Sequence, residues 1–261
     1  MKRLFEKDRQ ILMEYLLREP YFNTYIIGDV ENFGLDTETV QIYCEEEQDI
    51  RCIVMMYRGD FVVYSHDAVF DAKKVAEFIR NQITEENYCV SGKGDVIDRL
   101  YCELPDKKIR TTYFSHLKGF CPSSGQAPYP VVRITEQESH ALRQLYLSID
   151  EFHDKYVRYT DADMKTSFEG GRTYGILDEN GVVIASASST AESSYCAMVT
   201  NVCTSPACRN QGLAGIVMTK LIEELKKDCI ENICLYYDNP LAGRVYKKIG
   251  FQEVGVYKTL R

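Results

Sequence analysis

The chain has 261 residues, 45% hydrophobic and 27% charged, an ordinary globular composition long enough for two small domains or one large one. A formal net charge of −8, with basic residues adjacent only as pairs such as Lys226-Lys227 and Lys247-Lys248, argues against a nucleic-acid or anionic-membrane partner. The 10 cysteines form no Cys-x-x-Cys pair and share no ligand spacing with the four histidines, so no metal is expected and the thiols read as reduced. The first eight residues turn charged too early for a signal peptide, and no apolar run approaches the ~20 residues of a membrane span, so a cytoplasmic protein is expected.

In chain order, the first half opens with helical segments at 9–18 and 22–30. Strand candidates follow at 39–44, 51–57 and 61–65, each rich in β-branched or aromatic residues. A helix over 72–83 carries Val75, Phe78 and Ile79 on one side, with Asp71 before it as a natural N-cap. A short strand at 88–90, a helix at 95–102 and a closing strand at 110–118 complete this half.

Residues 121–130 hold three prolines, a glycine and two serines, the composition of a linker. Beyond it lies a strand at 131–134. Thr135-Glu136-Gln137-Glu138 then reads as a capping box that opens a helix with Leu142, Leu145, Tyr146 and Ile149 on one face. A polar, irregular stretch follows, with a short helix near 161–168. Strands at 172–177 and 182–188 flank Asp178-Glu179-Asn180-Gly181, a hairpin turn by its Asn-Gly. A strand at 195–204 leads into a helix striped by Leu213, Ile216, Val217, Leu221 and Leu225. A strand at 232–237, a helix at 241–249 ending at Gly250, and a strand at 251–260 finish the chain.

Three strands, helix, strand, helix, strand thus occurs twice, which reads as a diverged internal duplication. The expectation is an α/β protein of α+β type. It has two similar domains, 1–120 and 131–261, each a mixed, mostly antiparallel twisted sheet flanked by helices.

The most informative stretch is the strand–loop–helix at 202–214. Its loop reads Arg209-Asn210-Gln211-Gly212-Leu213-Ala214 and holds no acidic residue. Unpaired N–H groups at the start of a helix, with the helix dipole behind them, favour a phosphate there. Gly212 removes a Cβ from the path of a ligand. The equivalent junction in the first half, His66-Asp67-Ala68-Val69-Phe70-Asp71, has no glycine and two carboxylates where an anion would sit. No pyrophosphate is expected in the first half.

About thirty residues after the loop comes Asn239-Pro240-Leu241-Ala242-Gly243-Arg244-Val245-Tyr246-Lys247-Lys248-Ile249-Gly250-Phe251. A Gln/Arg-x-x-Gly-x-Gly/Ala loop after a strand, followed by a helix of the form Asn-x-x-Ala-x-x-x-Tyr-x-x-x-Gly-Phe, resembles the GNAT (N-acetyltransferase) superfamily. The resemblance covers roughly 131–261; the first half is similar only in element order, as a degenerate GNAT-like copy.

The resemblance implies acetyl-CoA or another acyl-CoA as co-substrate. It assigns the pyrophosphate to the backbone amides of Asn210, Gln211, Gly212, Leu213, Ala214 and Gly215, with Arg209 nearby. It assigns the pantetheine arm to Val202, Cys203 and Thr204 on a strand that splays from its neighbour, and to Asn239 and Ala242. Tyr246 would protonate the departing thiolate. Arg244 and Lys247 are candidates for the 3′-phosphate, or exposed helix charges. The acceptor would be a small-molecule amine or a protein amino group, taken up by a monomer or homodimer. The general base stays open among Glu151, Asp154, Glu169 and Glu192, which border the acceptor cleft in this family. A non-catalytic acyl-CoA sensor and a protein-interaction module on the same fold also stay open.

Overall fold

The computed structural model describes residues 1–46, 49–83, 88–166 and 168–261. The chain opens with strand β1 (Lys2–Leu4), a 3₁₀ turn (Glu6–Asp8) and helices α1 (Arg9–Leu16) and α2 (Thr24–Phe33). Strands β2 (Val40–Glu46), β3 (Ile50–Tyr57) and β4 (Asp60–Tyr64), helix α3 (Ala72–Gln82), strand β5 (Val90–Lys93), helix α4 (Gly94–Glu103) and strand β6 (Ile109–Leu117) follow.

The second half repeats this order. It runs β7 (Val131–Ile134), a 3₁₀ turn (Glu136–Glu138), and helices α5 (Ser139–Leu147), α6 (Asp150–Tyr156) and α7 (Asp161–Thr166). Then come β8 (Thr173–Leu177), β9 (Val183–Thr190), β10 (Cys196–Thr204), α8 (Leu213–Lys227), β11 (Asn232–Tyr237), α9 (Pro240–Ile249) and β12 (Phe251–Leu260). The helix expected near 161–168 is α7; Ser167, inside that expectation, lies outside the described residues.

Even the small devices recur. The backbone N–H of Phe5 donates to Asp8 Oδ2 at 3.0 Å, and that of Thr135 donates to Glu138 Oε2 at 2.8 Å. Both bonds pin the chain at the start of a 3₁₀ turn. The hairpin at 178–181 is held by Asp178, whose Oδ1 accepts from the N–H groups of Asn180 and Val182 at 2.9 Å each.

The chain divides into two compact units. The first comprises Met1–Ser115, Tyr236–Asp238 and Glu253–Arg261; the second comprises His116–Leu235 and Asn239–Gln252. In the first, strands run in the order β1-β2-β3-β4-β5-β12-β6. Its β4–β5 pair is parallel, and β1–β2, β2–β3, β3–β4 and β5–β12 are antiparallel. Strand β12 adds to this unit with Tyr257 opposite Lys93 and Leu260 opposite Val90. Thr112 Oγ1 donates to the Tyr257 carbonyl at 2.8 Å, and Lys108 and Arg261 exchange backbone hydrogen bonds at 2.8 and 2.9 Å. Segments 236–238 and 253–261 therefore pack with the first unit rather than with the rest of 131–261.

In the second unit the order is β11-β10-β9-β8-β7, with β10–β11 parallel and the other pairs antiparallel. Each unit has its own apolar core. In the first, Val75, Ala76 and Ile79 of α3 and Val96, Ile97 and Leu100 of α4 pack against Phe61, Val63 and Val90. In the second, Leu142, Leu145 and Tyr146 of α5 meet Tyr156, Met164, Val183 and Cys203. The linker at 121–130 is strapped to the second unit: Cys121 N–H donates to the Ile249 carbonyl at 2.8 Å and Ser123 N–H to Thr219 Oγ1 at 2.9 Å.

Candidate functional site

The loop after β10 begins with a 3₁₀ turn over Pro206–Cys208, where proline ends the strand. Arg209 is extended and exposed, and Asn210 takes a positive φ of 64°, a conformation asparagine tolerates better than most residues. Gly212 is left-handed at φ 77°, immediately before α8. Nothing lies within 4 Å of where its Cβ would be. Its glycine requirement within the chain is therefore one of backbone conformation, and the space beside it is open.

Among the described residues none accepts a hydrogen bond from the N–H groups of Asn210, Gln211, Gly212, Leu213, Ala214 or Gly215. Amides without acceptors at the positive end of a 15-residue helix are suited to an anion, and the space beside Gly212 is open. The side chain of Leu213 is buried, and Gly215 packs against Ser123 of the linker.

The strand feeding this loop is irregular. Between Thr200, opposite Ser188, and Cys203, opposite Ser186, the β9–β10 register shifts, and Asn201 adopts φ 50° at the bulge. Tyr156 Oη fixes it by donating to Asn201 Oδ1 at 3.0 Å. On its other side β10 pairs with β11 only over Cys196–Met198, opposite Asn232, Ile233 and Cys234. The remaining edge, including Val202, Cys203 and Thr204, has no strand partner on that side among the described residues. Such an edge offers backbone donors and acceptors to an extended ligand.

The Cys203 side chain is not available as a nucleophile. It is buried, lies 3.4 Å from Ser186 Oγ, and burial pushes its thiol up to about 12, so it stays protonated at neutral pH. Arg209 opposes that shift weakly and the Glu151 carboxylate adds to it, so both charges act on the end of β10.

Helix α9 starts at Asn239, whose Oδ1 caps it by accepting from Leu241 N–H at 2.9 Å, with Pro240 in the first turn. The other end of that amide, Nδ2, donates to Glu151 Oε1 at 3.3 Å. Ala242 is half-buried in the first turn. Tyr246 is only 8% exposed and packs edge-to-face on Phe251, with ring centroids 6.3 Å apart. Arg244 and Lys247 are exposed on the same helix.

The four carboxylates named as base candidates separate clearly. Glu192 is gripped by Arg172, whose Nε lies 3.0 Å and Nη2 2.5 Å from its carboxylate, and it also accepts from Ser189. Glu169 lines a separate hollow of about 180 Å³ with Glu136, Lys165 and Phe168. Asp154 is exposed on α6. Glu151, in the first turn of α6, is the one that touches the start of α9. Helix α6 lies where the sequence predicts an irregular stretch; its signal there is Phe152 and Tyr156, spaced i, i+4 among charged residues.

The corresponding place in the first unit is built differently. Strands β4 and β5 stay paired from Phe61 to Val63, so close that a Cβ on Gly92 would lie 2.1 Å from the Val63 carbonyl oxygen. Beyond them Lys93 Nζ donates to Glu19 Oε2 at 2.9 Å and to the His66 carbonyl at 3.0 Å, and Tyr64 Oη donates to Glu19 at 3.0 Å. Four of the amides here are already taken: His66 N–H by Tyr15 Oη, Val69 N–H by Asp67, Asp71 N–H by Glu45 and Lys74 N–H by Asp71. Glu45, the acceptor for Asp71 N–H, is itself buried.

No group of three or more His, Cys, Asp or Glu among the described residues is arranged to hold a metal ion. No described helix is long and apolar enough to cross a membrane.

Residues 138–251 match the model of the Acetyltransferase (GNAT) family. No curated protein matches the chain in sequence. Among solved structures, a Drosophila protein superposes with a TM-score of 0.73 at 13% identity, covering 99% of this chain and 97% of its own. A GCN5-related N-acetyltransferase-like protein from Streptococcus suis gives 0.61 at 17% identity over 97% and 98%. A tandem GNAT protein from the clavulanic acid biosynthesis pathway gives 0.58 at 12% identity over 99% and 96%. Residues 138–251 are thus similar to the GNAT acetyltransferase family, and the whole chain has a tandem GNAT-type fold.

Proposed function

We propose that this protein is an acyl-CoA-dependent N-acyltransferase that moves an acetyl group to a primary amine in a ternary complex. The observation that carries the reading is the pairing of six unclaimed amides at Asn210–Gly215 with an unpartnered strand edge at Val202–Thr204. The amides would hold the pyrophosphate, with Arg209 beside them. The edge would hold the pantetheine arm and present an N–H to the oxyanion that develops at the acyl carbonyl. Asn239 and Ala242 would line the arm from α9, and Tyr246 would give a proton to the departing thiolate. Much of the rate enhancement would come from holding amine and thioester together. The taken amides and the closed β4–β5 pair support a single cofactor site per chain.

Calorimetric titration of the full chain with acetyl-CoA tests this. The expected stoichiometry is one per chain, with release of free thiol once an amine acceptor is supplied. No binding, or two molecules per chain, refutes it; binding with no thiol release from any amine marks a sensor instead.

A further inference from the structure

The reaction needs a group to take a proton from the attacking amine, and the sequence leaves four carboxylates open. We infer that Glu151 is this general base; the inference rests on the acyltransferase reading above. Three observations single it out. Its carboxylate accepts from Asn239 Nδ2 at 3.3 Å, which ties it to the N-terminus of α9. Its charge acts on the Cys203 thiol, which ties it to the unpartnered end of β10. It is exposed in the first turn of α6, so an acceptor from solvent can reach it.

The alternatives lack this combination. Glu192 is locked by Arg172 and Ser189, with both ion-pair side chains only 15% exposed. Glu169 belongs to the hollow with Lys165 and Phe168. Among the described residues Asp154 makes no hydrogen bond or ion pair with β10 or α9.

Asn239 thereby has two tasks. Its carbonyl oxygen caps α9 and its NH₂ holds one oxygen of Glu151, leaving the other oxygen for the acceptor. In the step itself, the free carboxylate oxygen takes one proton from the acceptor's ammonium group. The nitrogen lone pair then forms the bond to the acyl carbon, and the carbon–sulfur bond breaks with its electron pair on sulfur. The thiolate is protonated, the nitrogen loses its second proton as the intermediate collapses, and Glu151 returns its proton to solvent. The net products are the amide, the free thiol and one proton. With no amine present, the same carboxylate activates a water molecule and the thioester is hydrolysed slowly.

The test uses the full chain with acetyl-CoA, water as the acceptor, and thiol release as the readout, so no natural acceptor needs to be known. Glu151→Gln should lower the rate about 10²-fold, the usual worth of a positioned base. Its calorimetric affinity for acetyl-CoA should stay within about twofold of wild type. Glu151→Ala should be equally slow, and sodium formate, but not sodium chloride, should restore turnover by supplying the missing carboxylate. Wild-type turnover in Glu151→Gln overturns the assignment, as does a loss that formate cannot rescue. A wild-type chain that binds no acetyl-CoA overturns the underlying reading, an outcome distinct from either.

Discussion

Gly212 offers a substitution in which backbone cost and ligand cost come apart. Its φ of 77° is one that side chains with a Cβ disfavour by ~1–2 kcal/mol. No atom lies within 4 Å of the added methyl, so no steric term joins that cost in the unliganded chain. Gly212→Ala should therefore lower Tm by roughly 2–8 °C, given about 2–4 °C per kcal/mol for a domain of this scale. Gly212→Glu carries the same backbone cost and should melt at nearly the same temperature. The two should differ toward acetyl-CoA. The methyl group would enter the open space beside Gly212 where the pyrophosphate is proposed to sit, and a tenfold loss of affinity, about 1.4 kcal/mol, is expected. The glutamate adds a negative charge facing a pyrophosphate and should abolish measurable binding. Thermal melts and calorimetric titrations of both variants in one buffer provide the comparison. If both melt lower by the expected amount yet bind acetyl-CoA as wild type does, the loop is a helix entry and the anion cradle is refuted.

Two further substitutions probe catalysis and stability separately. Tyr246→Phe keeps the buried ring and its contact with Phe251 while removing only the hydroxyl, so kcat should fall about 10–10²-fold with acetyl-CoA affinity unchanged; an unaltered kcat makes the hydroxyl structural. Arg172→Ala leaves the Glu192 carboxylate, 15% exposed, without its bidentate partner and should cost about 3 kcal/mol, read as a shift of the urea midpoint at constant m; a change below ~0.5 kcal/mol would show that solvent already screens the pair.

Most of this fold is legible in the sequence because hydrophobic period and turn chemistry agree. Asn180-Gly181 marks a hairpin that the structure contains, and Leu213, Val217, Leu221 and Leu225 of the α8 stripe are buried, with Ile216 only half-buried. What stays hidden is set by distant partners. Strand β1 is three residues long and exists only because Lys2–Leu4 pairs with Cys44, Tyr43 and Ile42. The short strand expected at 88–90 lies at 90–93, because Phe61 and Val90 set the register and the Cys89 amide is spent on Asp60 Oδ1. Helix α6 escapes notice because its stability comes from Phe152 and Tyr156 stacking on Tyr146, at centroid distances of 5.8 and 4.4 Å, rather than from a periodic apolar face. The loop at 209–214 shows the reverse. Its composition is readable, but that its amides lack acceptors follows only from the fold.

Strand β12 makes the first unit wait for the second. Ser91 and Tyr257 stand 166 positions apart in the chain, yet their hydroxyls meet at 3.3 Å. On a ribosome, β5 therefore emerges long before the strand that covers it, and until then it presents an open edge. Closing such a long loop is slow, and the incomplete sheet is exposed to misassociation meanwhile. The same wiring makes the linker at 121–130 a poor place to cut. A fragment ending there loses β12 from its sheet, and the fragment beginning there carries a strand with nothing to pair it. The last strand of the chain thus completes a sheet that its first half began.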